Sequence, residues 1–191
     1  MYIWVYVICA IIWIGFILHW VIGSIPNHRI FEIYAGCGIG LCLSLLIFGL
    51  FDWYRKAISP IVQLTGNILL YLAIAIAIIS LITLKIKGKP KKGIEDTNIL
   101  IVGTIFGVIR HPLYFGLAIW AVSQILAIQS IISVIMGITA IICFWMASKK
   151  EDEFNITKFG DNYKDYMKKI PMWNVLKGLI RKSKDSKDNY R

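Results

Sequence analysis

Residues 110–116 read Arg110-His111-Pro112-Leu113-Tyr114-Phe115-Gly116, and an apolar run to Ile128 starts at once. Pro112 stands where a helix begins, because its fixed φ suits the first helical turn and its missing N–H costs little there. Arg110 and His111 therefore lie at the mouth of a membrane helix, at the water–lipid boundary. A second apolar run, residues 130–147, follows with only Gln129 and Ser130 as polar turn residues, and Glu151, Asp152 and Glu153 come just after it. So short a connection makes antiparallel neighbours. The hairpin brings both polar clusters to one side of the membrane, and we read them as one active site.

The composition fits a membrane frame. Of 191 residues, 58% are hydrophobic and 17% charged. That is too little charge to give every helix of a soluble domain a solvated face. The formal net charge of +10 is concentrated: residues 85–98 hold five lysines and residues 147–191 hold twelve of the 21 Lys/Arg. Basic groups that flank apolar runs set orientation and attract anionic lipid. A nucleic-acid surface would spread them among stacking aromatics, so nucleic acid is excluded as a partner. Cys9, Cys37, Cys42 and Cys143 all fall inside apolar runs without a CxxC spacing, which reads as buried packing and gives no metal site.

Outward from the hairpin, three more apolar runs are long enough to span: residues 2–23, 34–51 and 60–84. The first lacks a basic leader and a small-residue cleavage site, so it reads as a span. Gly36, Gly38 and Gly40 in the second allow close helix approach. Gln63, Thr65 and Asn67 mark the first turns of the third; interfacial polar residues are the ordinary reading and a polar cavity the alternative. Residues 85–98 form a basic loop broken by Gly88, Pro90 and Gly93. Residues 99–109 are apolar but too short to span, which fits an interfacial or re-entrant piece.

Beyond residue 149 the chain is aqueous; Glu151 to Lys158 can continue the helix, and Gly160 is a stop. Asp161 opens a helix in which Tyr163, Tyr166, Met167 and Ile170 share one face, and Pro171 ends it. It reads as an amphipathic helix on the membrane or under the bundle. Trp173 suits the headgroup level. The expected fold class is all-α: a polytopic membrane helix bundle of about five transmembrane helices, with the last two as a tight hairpin, plus a cytoplasmic amphipathic C-terminal helix. Residues 1–173 form one membrane domain, with 98–173 as its cofactor-binding and catalytic part. Residues 174–191 read as a basic, disordered tail. The positive-inside rule puts the 85–98 loop, the active site and the C-terminus in the cytosol and the N-terminus outside, at the cost of Arg55 and Lys56 in an outer link.

Each polar residue alone has an ordinary structural reading: Arg110 as a snorkelling anchor, His111 as a locally bonded helix-mouth group, Glu151 and Asp152 as a solvated helix end. Together they offer donors for a carboxylate and acceptors for an amine or ribose hydroxyls. Carboxylates at the C-terminal end of the fifth span also oppose the helix dipole, so they call for a cationic partner. That set suits a zwitterionic, polyhydroxylated cofactor.

Arg110-His111-Pro112-Leu113-Tyr114-Phe115-Gly116 resembles the Arg-His-Pro-x-Tyr-x-Gly motif of the isoprenylcysteine carboxyl methyltransferase family and of the related phospholipid methyltransferases. Glu151-Asp152-Glu153, then Phe159-Gly160-Asp161-Asn162-Tyr163 and Tyr166, resembles that family's downstream segment, and Gly103 matches a glycine seven residues before the motif. The resemblance covers roughly residues 98–173. It implies an integral membrane methyltransferase that uses S-adenosylmethionine. Gly103, His111, Pro112, Tyr114, Gly116, Glu151 and Asp152 would hold the cofactor, with Arg110 and Glu151 at the reacting centre. The substrate would be lipophilic and come from the bilayer among membrane lipids, such as an isoprenylcysteine carboxylate or a lipid head group. Thr104 and Ile105 depart from the family's Pro and Tyr, and Asp152 is one methylene shorter than the family's acid, so the methyl acceptor stays open. The alternatives are a membrane reductase of related architecture using a nicotinamide cofactor, and a non-enzymatic small membrane scaffold. One arginine near the clusters is little for a nicotinamide phosphate, and a scaffold leaves the paired clusters without a purpose.

Overall fold

The computed structural model describes residues 3–51, 59–90 and 97–188, with side chains to Lys184. Helices α1 (Ile3–His19), α2 (Ile30–Leu50), α3 (Pro60–Lys87), α4 (Pro112–Ile128), α5 (Ile131–Phe159), α6 (Asp161–Lys169) and α7 (Val175–Asp188) follow in that order. Among the described residues, four helical stretches are long and apolar enough to cross a membrane: Ile3–Ser24, Ile30–Leu50, Pro60–Lys87 and Ile131–Phe159. The remaining expected span, α4, fourth in order, has 17 residues, about 25 Å at 1.5 Å per residue. That is short of a hydrocarbon core of ~30 Å. It stands as the short arm of the expected hairpin: Gln129 takes a left-handed conformation (φ 54°, ψ 44°) and Ser130 caps α5 in a box with Ser133. The Gln129 amide also bonds both backbone groups of Ser59, at 3.0 and 2.9 Å, tying the hairpin turn to the start of α3.

The core lies among α2, α4 and α5. Phe144 and Cys42 are fully buried there, packed with Ala118, Ala121, Ala140 and Tyr114. A Cβ at Gly38 would sit 2.5 Å from the Phe144 ring, so close helix approach is the function of that glycine. Small residues admit the α3–α4 contact in the same way. A Cβ at Gly66 would lie 2.7 Å from the Ser123 carbonyl. Outside this core the helices present isoleucines outward, as surfaces facing lipid do: Ile11, Ile61, Ile135 and Ile142 are all exposed.

Three sequence expectations change. First, α3 runs to Lys87, so the basic segment begins as helix and Lys85 and Lys87 occupy its last turn, where cations favour the helix dipole. Second, the continuation of the helix past Glu151 is realised in full, and α5 runs about two turns beyond Glu151 and Asp152, to Phe159. Those carboxylates are therefore not at a helix end, and the dipole argument for a partner does not apply to them. Third, the segment after 173 is not an irregular tail. Asn174 accepts from Lys177 N at 2.9 Å and starts α7. The apolar Leu176, Leu179 and Ile180 recur at helical spacing there. The Arg181 guanidinium donates to the Gly107 carbonyl at 2.6 Å, holding α7 to the segment before α4. The expected outer link with Arg55 and Lys56, and Lys91 and Lys92 of the basic loop, lie outside the described residues.

Candidate functional site

One end of the bundle is organised around a buried carboxylate. Asp152, on α5, is 6% exposed. It accepts from Arg110 Nη2 at 2.9 Å, from His111 Nε2 at 2.7 Å and from the Tyr163 hydroxyl at 2.6 Å. Three elements thus converge on one side chain: the mouth of α4, the extension of α5, and α6. A buried charge is tolerated when paired and hydrogen-bonded, and Asp152 has both.

Arg110 is the second clamp. Its backbone N–H bonds the Pro171 carbonyl at 3.0 Å, and Nη1 donates to the carbonyls of Met167 (3.1 Å) and Ile170 (2.7 Å). These last carbonyls of α6 have no helical partner, so a guanidinium is a natural cap. Arg110 Nε remains, buried and without a hydrogen-bond partner among the described residues.

His111 precedes Pro112 with φ −121° and ψ 65°, and is 5% exposed. Burial pushes its imidazole toward the neutral form, but the hydrogen bonds and charges of Asp152 and Glu151 outweigh this and raise its pKa to about 9. At neutral pH the ring is therefore an imidazolium that donates from both nitrogens. Its Nδ1 lies 3.5 Å from Glu151 Oε2, a longer and weaker contact than the 2.7 Å bond to Asp152. Glu151 keeps acceptor capacity for a ligand. The site balances two cationic side chains with two carboxylates.

Beside these residues lies a two-lobed cavity of about 190 and 50 Å³. Arg110, His111, Glu151, Leu84, Thr97 and Phe106 wall both lobes. The larger adds Phe31, Pro112 and Tyr114; the smaller adds Asn155, Tyr163 and Tyr166. Tyr114 stacks on His111 with centroids 5.9 Å apart. The Tyr166 hydroxyl donates to the Phe106 carbonyl at 2.7 Å and fixes the short 3-10 turn Thr104–Gly107 that closes one side. Burial holds the Tyr163 and Tyr166 phenols in the protonated, donating form.

Of the residues singled out by sequence, the structure brings Arg110, His111, Pro112, Tyr114 and Glu151 to the cavity wall, with Asp152 directly behind them. Two stand elsewhere. Gly103 is exposed, with open space on its Cβ side, and does not line the cavity. Gly116 lies on the α3 side of α4, where a Cβ would meet Ile76 at 3.0 Å and the Ala73 carbonyl at 3.3 Å. It serves helix packing in this structure. Sequence reasoning missed Phe31, Leu84 and Phe106, apolar residues indistinguishable from lipid-facing ones before folding. It placed Tyr163 and Tyr166 on one helix face but did not assign them to the site. Trp173, expected at the headgroups, instead donates to Ser148 Oγ at 3.0 Å and packs edge-on to Phe115.

The fold and this site define a polytopic helical membrane protein with a charge-balanced cavity at one end of its bundle. The chain belongs to the NnrU protein family, whose model matches residues 28–180. It is also similar to proteins named protein-S-isoprenylcysteine O-methyltransferase. The relative from Dictyostelium discoideum is 33% identical over 86 residues, 44% of this chain and 35% of the relative. That from Schizosaccharomyces pombe is 28% identical over 75 residues, 39% and 32% of the two chains. That from Mus musculus is 30% identical over 78 residues, 40% and 28%. The chain spans about a third of the length of the curated relatives it matches. No solved structure matches. These matches support the resemblance drawn from the sequence motifs: an isoprenylcysteine methyltransferase-like membrane family.

Proposed function

We propose that the protein is an integral membrane methyltransferase that uses S-adenosylmethionine and acts on a lipophilic substrate drawn from the bilayer, such as an isoprenylcysteine carboxylate or a lipid head group. The observation that carries this is the charge-balanced wall formed by Arg110, His111 and Glu151 around one cavity, anchored from behind by Asp152. A zwitterion with ribose hydroxyls suits that wall. Arg110 Nε, buried and unmet, is a donor for the cofactor's carboxylate, and Glu151 is an acceptor for its ammonium or hydroxyl groups. The two lobes together are smaller than the roughly 300 Å³ at which small-molecule sites begin, so binding includes a displacement of the walls.

The cofactor supplies a methyl group already activated on a sulfonium. The chain's own residues are left with alignment, which carries much of the rate in such a transfer. His111 is protonated at neutral pH and acts as a donor that holds and orients, not as a general base. Arg110 is bonded to α5 and α6, which makes it a positioning residue with its Nε–H still to be met. A carboxylate acceptor needs no base in this scheme. The basic groups at the ends of α3 and α7 favour a cytosolic site and C-terminus with the N-terminus outside. We take residues 98–173 as the cofactor-binding part of one membrane domain.

Calorimetric titration of detergent-purified protein with S-adenosylhomocysteine tests the proposal, alongside His111→Ala and Glu151→Gln. Micromolar binding by the parent, lost in both variants, supports it. A folded parent that binds nothing overturns it, and a nicotinamide titration then decides the reductase alternative.

A further inference from the structure

Away from Arg110, helices α2, α3 and α4 line two adjoining cavities that share no residue with the wall around Arg110, His111 and Glu151. One, of about 370 Å³, is lined by apolar residues, among them Leu70, Ala73, Ala77 and Leu117. The other, of about 180 Å³, holds Gln63, Asn67, Ser123 and Gln124. Leu46, Leu70 and Trp120 wall both. Together they reach the roughly 300–1,000 Å³ of small-molecule sites.

A residue in the wall of the polar cavity carries an unmet acceptor. Gln124 is 6% exposed. Its Nε2 donates to the Cys42 carbonyl on α2 at 2.9 Å, which fixes the orientation of the amide. Its Oε1 is buried without a hydrogen-bond partner among the described residues. The neighbouring Ser123 hydroxyl donates to the Trp120 carbonyl at 2.7 Å and does not serve it. A carbonyl left unmet within a membrane bundle is costly, and a polar side chain facing a cavity there marks a place where something polar binds.

The walls restrict what that is. Among the described residues, no charged side chain lines either cavity. An ionic headgroup would stay uncompensated, so the donor is neutral. The adjoining groove takes a hydrocarbon, and its rim residues Leu46 and Ile74 are exposed on the surface that faces lipid. We propose that these cavities bind a neutral amphiphile from the bilayer, its hydroxyl donating to Gln124 Oε1 and its apolar chain lying along Ala73 and Ala77. This site is separate from the Arg110–Asp152 cluster and does not depend on the methyltransferase reading.

The test uses the full chain in phosphatidylcholine nanodiscs and a long-chain alkanol carrying a photoactivatable diazirine, with its methyl ether as the matched competitor that cannot donate. Saturable labelling should map to peptides of α3 and α4. The unlabelled alkanol should compete about tenfold better than the ether, the margin set by one buried hydrogen bond. Gln124→Leu should remove that margin, and Ala77→Phe, which fills the groove, should abolish labelling by the alkanol. Both should leave the affinity for S-adenosylhomocysteine at the parent's value, whatever it is. Equal competition by alkanol and ether, labelling that does not saturate, or labelling that survives Ala77→Phe overturns the proposal. Should Gln124→Leu fail to accumulate, the alkanol–ether comparison on the parent decides alone.

Discussion

Asp152→Asn tests whether one buried charge organises the site. Asparagine keeps the shape but removes the charge, and leaves one oxygen where the carboxylate accepts from Arg110, His111 and Tyr163. Removing one member of a buried, hydrogen-bonded ion pair costs about 3–5 kcal/mol, because its partners stay behind uncompensated. For a chain of this size that is about 10 °C in the unfolding midpoint. The pH dependence carries a second signature. His111 has its folded pKa raised to about 9 from 6.5, a difference of about 3 kcal/mol in stability. Because the folded value is the higher one, this contribution is fully present below pH 6.5 and is lost as pH rises through 9. In the variant only Glu151 still opposes the effect of burial, so the imidazole loses its proton at lower pH. The parent should therefore lose stability between pH 7 and 9.5, and the variant less. Tryptophan fluorescence followed through thermal unfolding in detergent over that pH series reads both effects. A variant with the parent's midpoint at pH 7, or with an equal decline to pH 9.5, refutes the reasoning.

Three further outcomes are expected. Glu151→Gln should lower S-adenosylhomocysteine affinity at least about tenfold while lowering the unfolding midpoint less than Asp152→Asn does, since Glu151 contacts His111 only at 3.5 Å and faces the cavity. Calorimetry and thermal unfolding on the same sample check this. Gly66→Val should destabilise by about 1–3 kcal/mol, because its Cβ would sit 2.7 Å from the Ser123 carbonyl and 2.9 Å from Ala127 N and drive α3 from α4. A lowered unfolding midpoint reads it. Tyr166→Phe leaves the Phe106 carbonyl unmet, at a cost of about 1–3 kcal/mol. Hydrogen exchange should quicken in residues 99–109 before it does in the α4–α5 hairpin.

The membrane class, the spans and the hairpin were legible in the sequence because lipid imposes a simple rule. A backbone inside it must be helical, so long uncharged runs have little choice, and Gln129-Ser130 leaves room only for a tight turn. The two polar clusters were legible as a pair for the same reason, since a hairpin must return its ends to one side. The helix ends were less legible. The residues after 151 already allowed α5 to run on to the stop at Gly160, but α7 forming after Asn174 does not follow from hydropathy, because it lies in water, where propensity and docking decide.

Tertiary structure alone decided the assignment of roles within the clusters. Glu151 and Asp152 are adjacent acids in the sequence, yet helix rotation turns one to the cavity and buries the other among three donors. Gly116 sits inside the motif, yet its face of α4 meets α3. Phe31, Leu84 and Phe106 join the site from segments with no signature, and Gln124 becomes an unmet acceptor only once α2, α3 and α4 close around it. The sequence determined which residues must leave lipid and to which end they go. Which of them touch, and which remain unpaired, depends on helix rotation and packing between distant segments, and no local pattern in the chain encodes that.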